Sequence, residues 1–137
     1  MSLEAAREHL DLASEQWERA STDAWEPSDA ASCVTNAFYA YENLIVAVAE
    51  AKDVAWAPNH YKKAALAKEL ASNKLLSKDL SDEVLRLNDL RKDVSYGEPG
   101  AELRDEDLEN LVTELELVIN EVEKCVSDLE KEEQEAG

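Results

Sequence analysis

Arg91 lies near the end of an amphipathic run, Leu87–Gly97 (LNDLRKDVSYG), and four residues separate it from Tyr96. A guanidinium presents a planar fork of donors that matches two oxygens of a phosphate or carboxylate. Arginine is scarce here, five in 137 residues, so its placement where a helix ends carries information. Two roles suit it: holding an anion, or capping the helix C-terminus as a cation beside Asp89 or Asp93. Tyr96 has a hydroxyl that ionises only near about pH 10, which makes it a poor base at neutrality. Lys92 and Arg86 flank Arg91, and the earlier stretch NHYKKAALAKEL supplies His60 and Lys63. Histidine is the side chain whose ordinary pKa suits proton transfer near neutral pH. The candidate set is therefore Arg91 with Tyr96 for catalysis, and Arg91, Lys92, Arg86, His60 and Lys63 for binding.

Charge supports a local rather than a general anion site. The formal net charge is −18, which disfavours broad DNA binding, because neutralising a phosphate backbone needs an extended cationic surface. Residues 52–92 nevertheless hold nine basic against six acidic residues, while 1–51 and 93–137 are strongly acidic. All the binding candidates fall in or beside that basic third.

Other chemistries lack their residues. A di-iron bundle needs Glu-x-x-His pairs, yet Ala6 and Ala57 stand three positions before His9 and His60. Zinc needs clustered Cys and His, and the two cysteines and two histidines are scattered. Asp105-Glu106-Asp107 lacks the alternating ligands and glycine of a calcium loop; it fits a helix N-terminus. No phosphate-cradling glycine loop and no G-x-S-x-G occur. No metal and no cofactor are expected. Cys33 and Cys125 read as buried thiols.

The elements that must position the candidates are helices. Hydrophobic residues make up 45% of the chain, with only three glycines and three prolines, a composition of long helices in a globule rather than of disorder or a turn-rich β fold. Apolar spacing marks helices over about Leu3–Ser21, Asp29–Asp53, from an Asn59 cap to Ser72, from a Ser81 cap to a stop at Gly97, and from about Asp105 to Leu129. The second, with Val34, Ala37, Phe38, Tyr41, Leu44, Ile45 and Val48, should be central. The last carries about three heptads, enough to pack along the bundle or against a partner chain. His9, beside core Leu10, belongs on a helix flank, and the tryptophans read as packing residues, with Trp56 in a loop the one to watch. Residues 1–130 form one all-α bundle of four or five helices, and 131–137 an acidic, frayed tail. The longest apolar run, Leu44–Ala49, is too short to span a bilayer, and the acidic first helix does not read as a signal peptide. A cytoplasmic protein without membrane contact is expected.

The order SCVTNAFYAYENLIVAVAEA, NHYKKAALAKEL, LNDLRKDVSYGEPG and a long last helix resembles the HEPN (higher eukaryote and prokaryote nucleotide-binding) domains over nearly the whole chain. The resemblance implies an up-and-down bundle and a symmetric homodimer. It also implies a metal-independent ribonuclease motif, arginine followed after four to six residues by histidine, in toxin–antitoxin or defence settings. Arg91 matches the arginine, but residues 92–98 contain no histidine and Tyr96 takes the four-residue slot. Members lacking the histidine are taken as non-catalytic, so the implied role is binding of a nucleotide, RNA or antitoxin-type protein. Two alternatives stand beside it: an active ribonuclease in which His60 or a second subunit supplies the missing base, and an acidic helical adaptor that docks through its last helix.

Overall fold

The structure is a computed structural model and describes residues 2–25, 29–96 and 106–136, with side chains described up to residue 92 in the second stretch. Five helices occur among these residues, with no strand: α1 Leu3–Asp23, α2 Ala30–Ala51, α3 His60–Ser72, α4 Ser81–Tyr96 and α5 Leu108–Ala136. None is long and apolar enough to cross a membrane.

Local chemistry sets the helix ends. Ser2 caps α1, its hydroxyl accepting from the Ala5 amide at 3.0 Å, and Asn59 caps α3 by accepting from Tyr61 and Lys62. Both are N-cap residues of the favoured type. The start of α4 departs from expectation. Ser81 is already helical and does not cap; its amide donates to the Asp79 carboxylate at 2.9 Å, and the Leu80 carbonyl accepts from Val84. Ser81 falls inside the first turn rather than before it, and its own orphan amide is met by a charged side chain two residues earlier. Asp29 sits at the start of α2 without a side-chain cap bond. Asp107 caps α5 through the Asn110 amide, whereas Asp105 and Gly97 lie outside the described residues. α2 and α3 end alike: Asp53 and Lys74 adopt φ of 58° and 60°, and the next amides, Val54 and Leu75, reach back to Ala49 and Leu70. This is the Schellman arrangement, here without glycine.

α2 packs against all four other helices. Phe38, Leu44, Ile45 and Val48 are buried, and Ala37, Ala40, Ala47 and Ala49 let neighbouring backbones approach. The expected central element is thus central. The stripe of α5 (Leu111, Leu115, Val118, Ile119, Val122, Val126) is spent in this chain's own core, so the face suited to a partner is already covered. Trp17 fastens α1 to α5 through the Val112 carbonyl at 2.9 Å. The segment expected to fray remains helical to Ala136, with residues 131–136 exposed. Arg7 of α1 helps to hold that end, with Glu123 and Glu130 each at 2.6 Å.

Candidate functional site

Three helices each bring a pair of residues spaced by three or four to one place, the spacing that puts both on one helix face. α2 contributes Phe38 and Glu42, α3 His60 and Lys63, and α4 Asn88 and Arg91. The Asn59 cap fixes where α3 begins, and so places His60 in its first turn, over α2. The imidazole stands edge-on to the buried Phe38 ring, centroids 5.2 Å apart. Arg91 reaches the same ring from α4, its Cζ 5.1 Å from the Phe38 centroid and 5.7 Å from that of Tyr39. A guanidinium over aromatic faces gains quadrupole attraction and keeps its fork in a defined plane. Arg91 also donates from Nη2 to Asn88 Oδ1 at 2.8 Å, and Asn88 is buried.

Beneath His60 lies Glu42, 3% exposed. Its Oε2 accepts from His60 Nδ1 at 2.7 Å, and Lys63 Nζ stands 3.6 Å from Oε1. A buried carboxylate persists only when donors meet it, and here two cationic-type side chains from α3 do so. Lys63 also lies over Trp56, 5.8 Å from the ring centroid. Trp56 in turn donates to Glu50 at 2.9 Å and meets the His9 ring edge-on at 5.8 Å. The bond from Trp56, foremost, holds the Glu50 carboxyl below its ordinary range. His9, half-buried on its flank, bonds Asn43 at 2.8 Å. Both histidines therefore belong to one contiguous polar and aromatic seam, with Trp56 between them.

Of the residues singled out from sequence, His60 and Lys63 meet at Glu42, and His60 and Arg91 share the Phe38 ring. Lys92 stands beside them on α4, bonded through Nζ to the Tyr61 hydroxyl at 2.7 Å; that bond raises its pKa. Arg86 does not join them. It pairs with Glu83 at 2.7 Å and Glu106 at 2.6 Å, beside a cavity of about 300 Å³ that Tyr41, Lys78 and Glu114 also line. Burial works against its charge, yet the two carboxylates hold its pKa above the ordinary value. Five residues from Arg91 on a helix is roughly 140° around the axis, which is why the two arginines part. The Tyr96 side chain lies outside those described.

Sequence reasoning missed Glu42 and Asn88. The signal for Glu42 was present: it is the single charged residue between Asp29 and Glu50 in the most apolar helix, four residues from Phe38. Asn88 sits between Leu87 and Leu90 in an apolar stripe, a weaker sign.

No group of three or more His, Cys, Asp or Glu among the described residues is placed to hold a metal. Cys33 and Cys125 are free thiols, the first fully buried and the second half-buried rather than buried. Desolvation, with Asp23 and Glu106 adding to it, pushes the Cys33 thiol up to about 11. Comparison with known protein families, with curated proteins and with solved structures finds no match for this chain.

Proposed function

We propose that this chain is a HEPN-like helical-bundle protein, homodimeric, that binds a nucleotide or an RNA phosphate where His60, Lys63 and Arg91 converge, in a toxin–antitoxin or defence-type setting. The observation that carries this reading is the meeting of His60 and Arg91, from separate helices, on the one Phe38 ring. The guanidinium fork suits two phosphate oxygens, the imidazole suits a third polar group of the same ligand, and Lys63 adds a point charge. The sequence resemblance points to the same residue, Arg91, on independent grounds.

A second reading is a metal-independent endoribonuclease. It is favoured by the Glu42–His60 bond, because a carboxylate behind an imidazole is the arrangement that orients a histidine for proton transfer. His60 would then do the work of the histidine that Tyr96 displaces from the expected position. In that case the 2′-hydroxyl oxygen attacks phosphorus and gives its proton to the imidazole. The bond to the 5′-oxygen breaks and that oxygen takes a proton from water, leaving a cyclic phosphate and a free 5′-hydroxyl, while the imidazolium returns its proton to solvent.

Titration of labelled single-stranded RNA and of adenosine nucleotides in EDTA, with cleavage followed on the same samples, tests both. Wild type binding lost in Arg91→Ala and His60→Ala, with helicity intact, supports the site. Cleavage lost in both and kept in Tyr96→Phe selects the second reading. Failure of wild type to bind any of these probes rejects the proposal. Sedimentation of the wild type protein tests the dimer.

A further inference from the structure

We propose that Glu42 is the positioning residue of this site: it fixes His60 with a proton on Nδ1, so that Nε2 is the atom that meets the ligand, where it accepts from a ligand hydroxyl. The inference rests on the anion-binding reading of the same face. Both Glu42 oxygens face donors, Nδ1 of His60 at 2.7 Å and Nζ of Lys63 at 3.6 Å. A carboxylate offers only lone pairs, so the nitrogen pointing at it carries the hydrogen whether the ring is neutral or charged. Nε2 is then the ring nitrogen left to meet a ligand.

The ring cannot easily turn away from that arrangement. Glu42 is 3% exposed, the imidazole edge rests against buried Phe38, and the His60 backbone is held in the first turn of α3 by the Asn59 cap. The His60 side chain is 38% exposed, and with Nδ1 turned to the buried carboxylate the outward edge is the one that bears Nε2. Nε2 makes no hydrogen bond among the described residues. A neutral imidazole fixed in this way presents a lone pair, and a lone pair selects a donor. Phosphate oxygens at neutral pH are acceptors, so the group that Nε2 reads is a hydroxyl of the ligand, placed next to the phosphate that Arg91 and Lys63 attract. The ligand class is a phosphate ester with a neighbouring free hydroxyl.

The test pairs a spectroscopic signature with a ligand comparison. Long-range proton–nitrogen spectra at alkaline pH, assigned with His60→Gln, should show the Nδ1–H tautomer of His60 in the wild type. Glu42→Gln should shift it toward Nε2–H, and Glu42→Asp should restore it in part; circular dichroism confirms the fold of each. Adenosine 3′-monophosphate should bind the wild type about fivefold more tightly than its 2′-deoxy counterpart, the worth of one hydrogen bond, and Glu42→Gln should erase that difference. An Nε2–H tautomer in wild type, or a tautomer indifferent to Glu42→Gln, overturns the positioning role. The expected tautomer with equal binding of the two nucleotides overturns the hydroxyl contact. The expected tautomer with neither nucleotide bound leaves the positioning supported and rejects the anion-binding reading instead.

Discussion

Arg91 and His60 press on the same Phe38 ring, the guanidinium carbon 5.1 Å and the imidazole centroid 5.2 Å from its centre. One buried phenyl ring thus sets the relative position of the two side chains best suited to a phosphate and a proton. Phe38→Leu keeps an apolar group of similar size but removes the face. It should cost about 1–2 kcal/mol in urea unfolding, since volume-conserving core changes are tolerated best and aromatic pairs add modestly to area burial. It should also loosen both neighbours, read as exchange broadening of the His60 and Arg91 side-chain resonances. Sharp, unshifted resonances in that variant would show that Phe38 is only filler.

The donors around Glu42 are unequal, and the inequality can be measured. His60→Ala removes the bond at 2.7 Å and leaves a buried carboxylate facing Lys63 at 3.6 Å. Stripping a buried acceptor of its nearest donor should cost about 2 kcal/mol. Lys63→Met keeps the apolar stem of the side chain and should cost about 1 kcal/mol. The reverse order in chemical denaturation would mean that the ammonium, not the imidazole, sustains the buried carboxylate.

The helices were legible in the sequence because their apolar residues repeat at three and four. Val34, Phe38, Tyr41, Leu44, Ile45 and Val48 all lie in the core, where their spacing put them. The meeting of His60 with Arg91 was legible only as their membership of one candidate set, because sequence periodicity gives faces, not partners. Glu42 escaped although it is the lone charged residue in an apolar stretch, because its donors come from another helix and leave no trace in local spacing. Arg86 was grouped with Arg91 by proximity in sequence, although helical geometry separates them. Ser81 was read as a cap because serine is a good one, but the helix begins one residue earlier than that reading needs, and the Asp79 carboxylate meets the Ser81 amide itself.

Two helices end in left-handed residues that are not glycine, and this costs stability. Lys74 has φ of 60°, where a Cβ crowds the following carbonyl. Its amide bonds Ala71 and the next amide bonds Leu70, contacts that glycine keeps. Lys74→Gly should therefore stabilise the protein by about 0.5–1 kcal/mol, raising the midpoint of urea unfolding without changing its slope. Destabilisation would mean that the lysine side chain contributes more than its backbone strain costs.

The thiols should differ in reactivity. Cys33 is fully buried and its thiol is pushed up to about 11, first by desolvation; Cys125 is half-buried and raised by the same cause to a lesser extent of enclosure. The thiolate is the reactive form. Iodoacetamide at about pH 8, an ordinary thiol's range, should label Cys125 first and Cys33 only on unfolding, as read by mass spectrometry. Equal labelling of the folded protein would contradict the packing of α2.

The clamp between α1 and α5 should fade in acid. The Arg7 hydrogen bond, foremost, holds the Glu130 carboxyl below its ordinary value. A carboxyl depressed in the folded state binds more protons unfolded than folded as pH falls, so its contribution is present above the ordinary carboxylate pKa and is lost as pH drops through the folded value. The pair is half-exposed, with Arg7 28% and Glu130 35% exposed, and solvent screening limits it to about 1 kcal/mol even with Glu123 completing the network. Arg7→Met should lower stability by about that amount at pH 7 and by progressively less below about pH 4. Amide exchange should localise the loss to the last turns of α5, beyond Val126, where Arg7 bonds Ser127 and Glu130. A deficit that stays constant down to about pH 2, below the carboxylate range, would assign the effect to the lost aliphatic packing of Arg7 rather than to its charge.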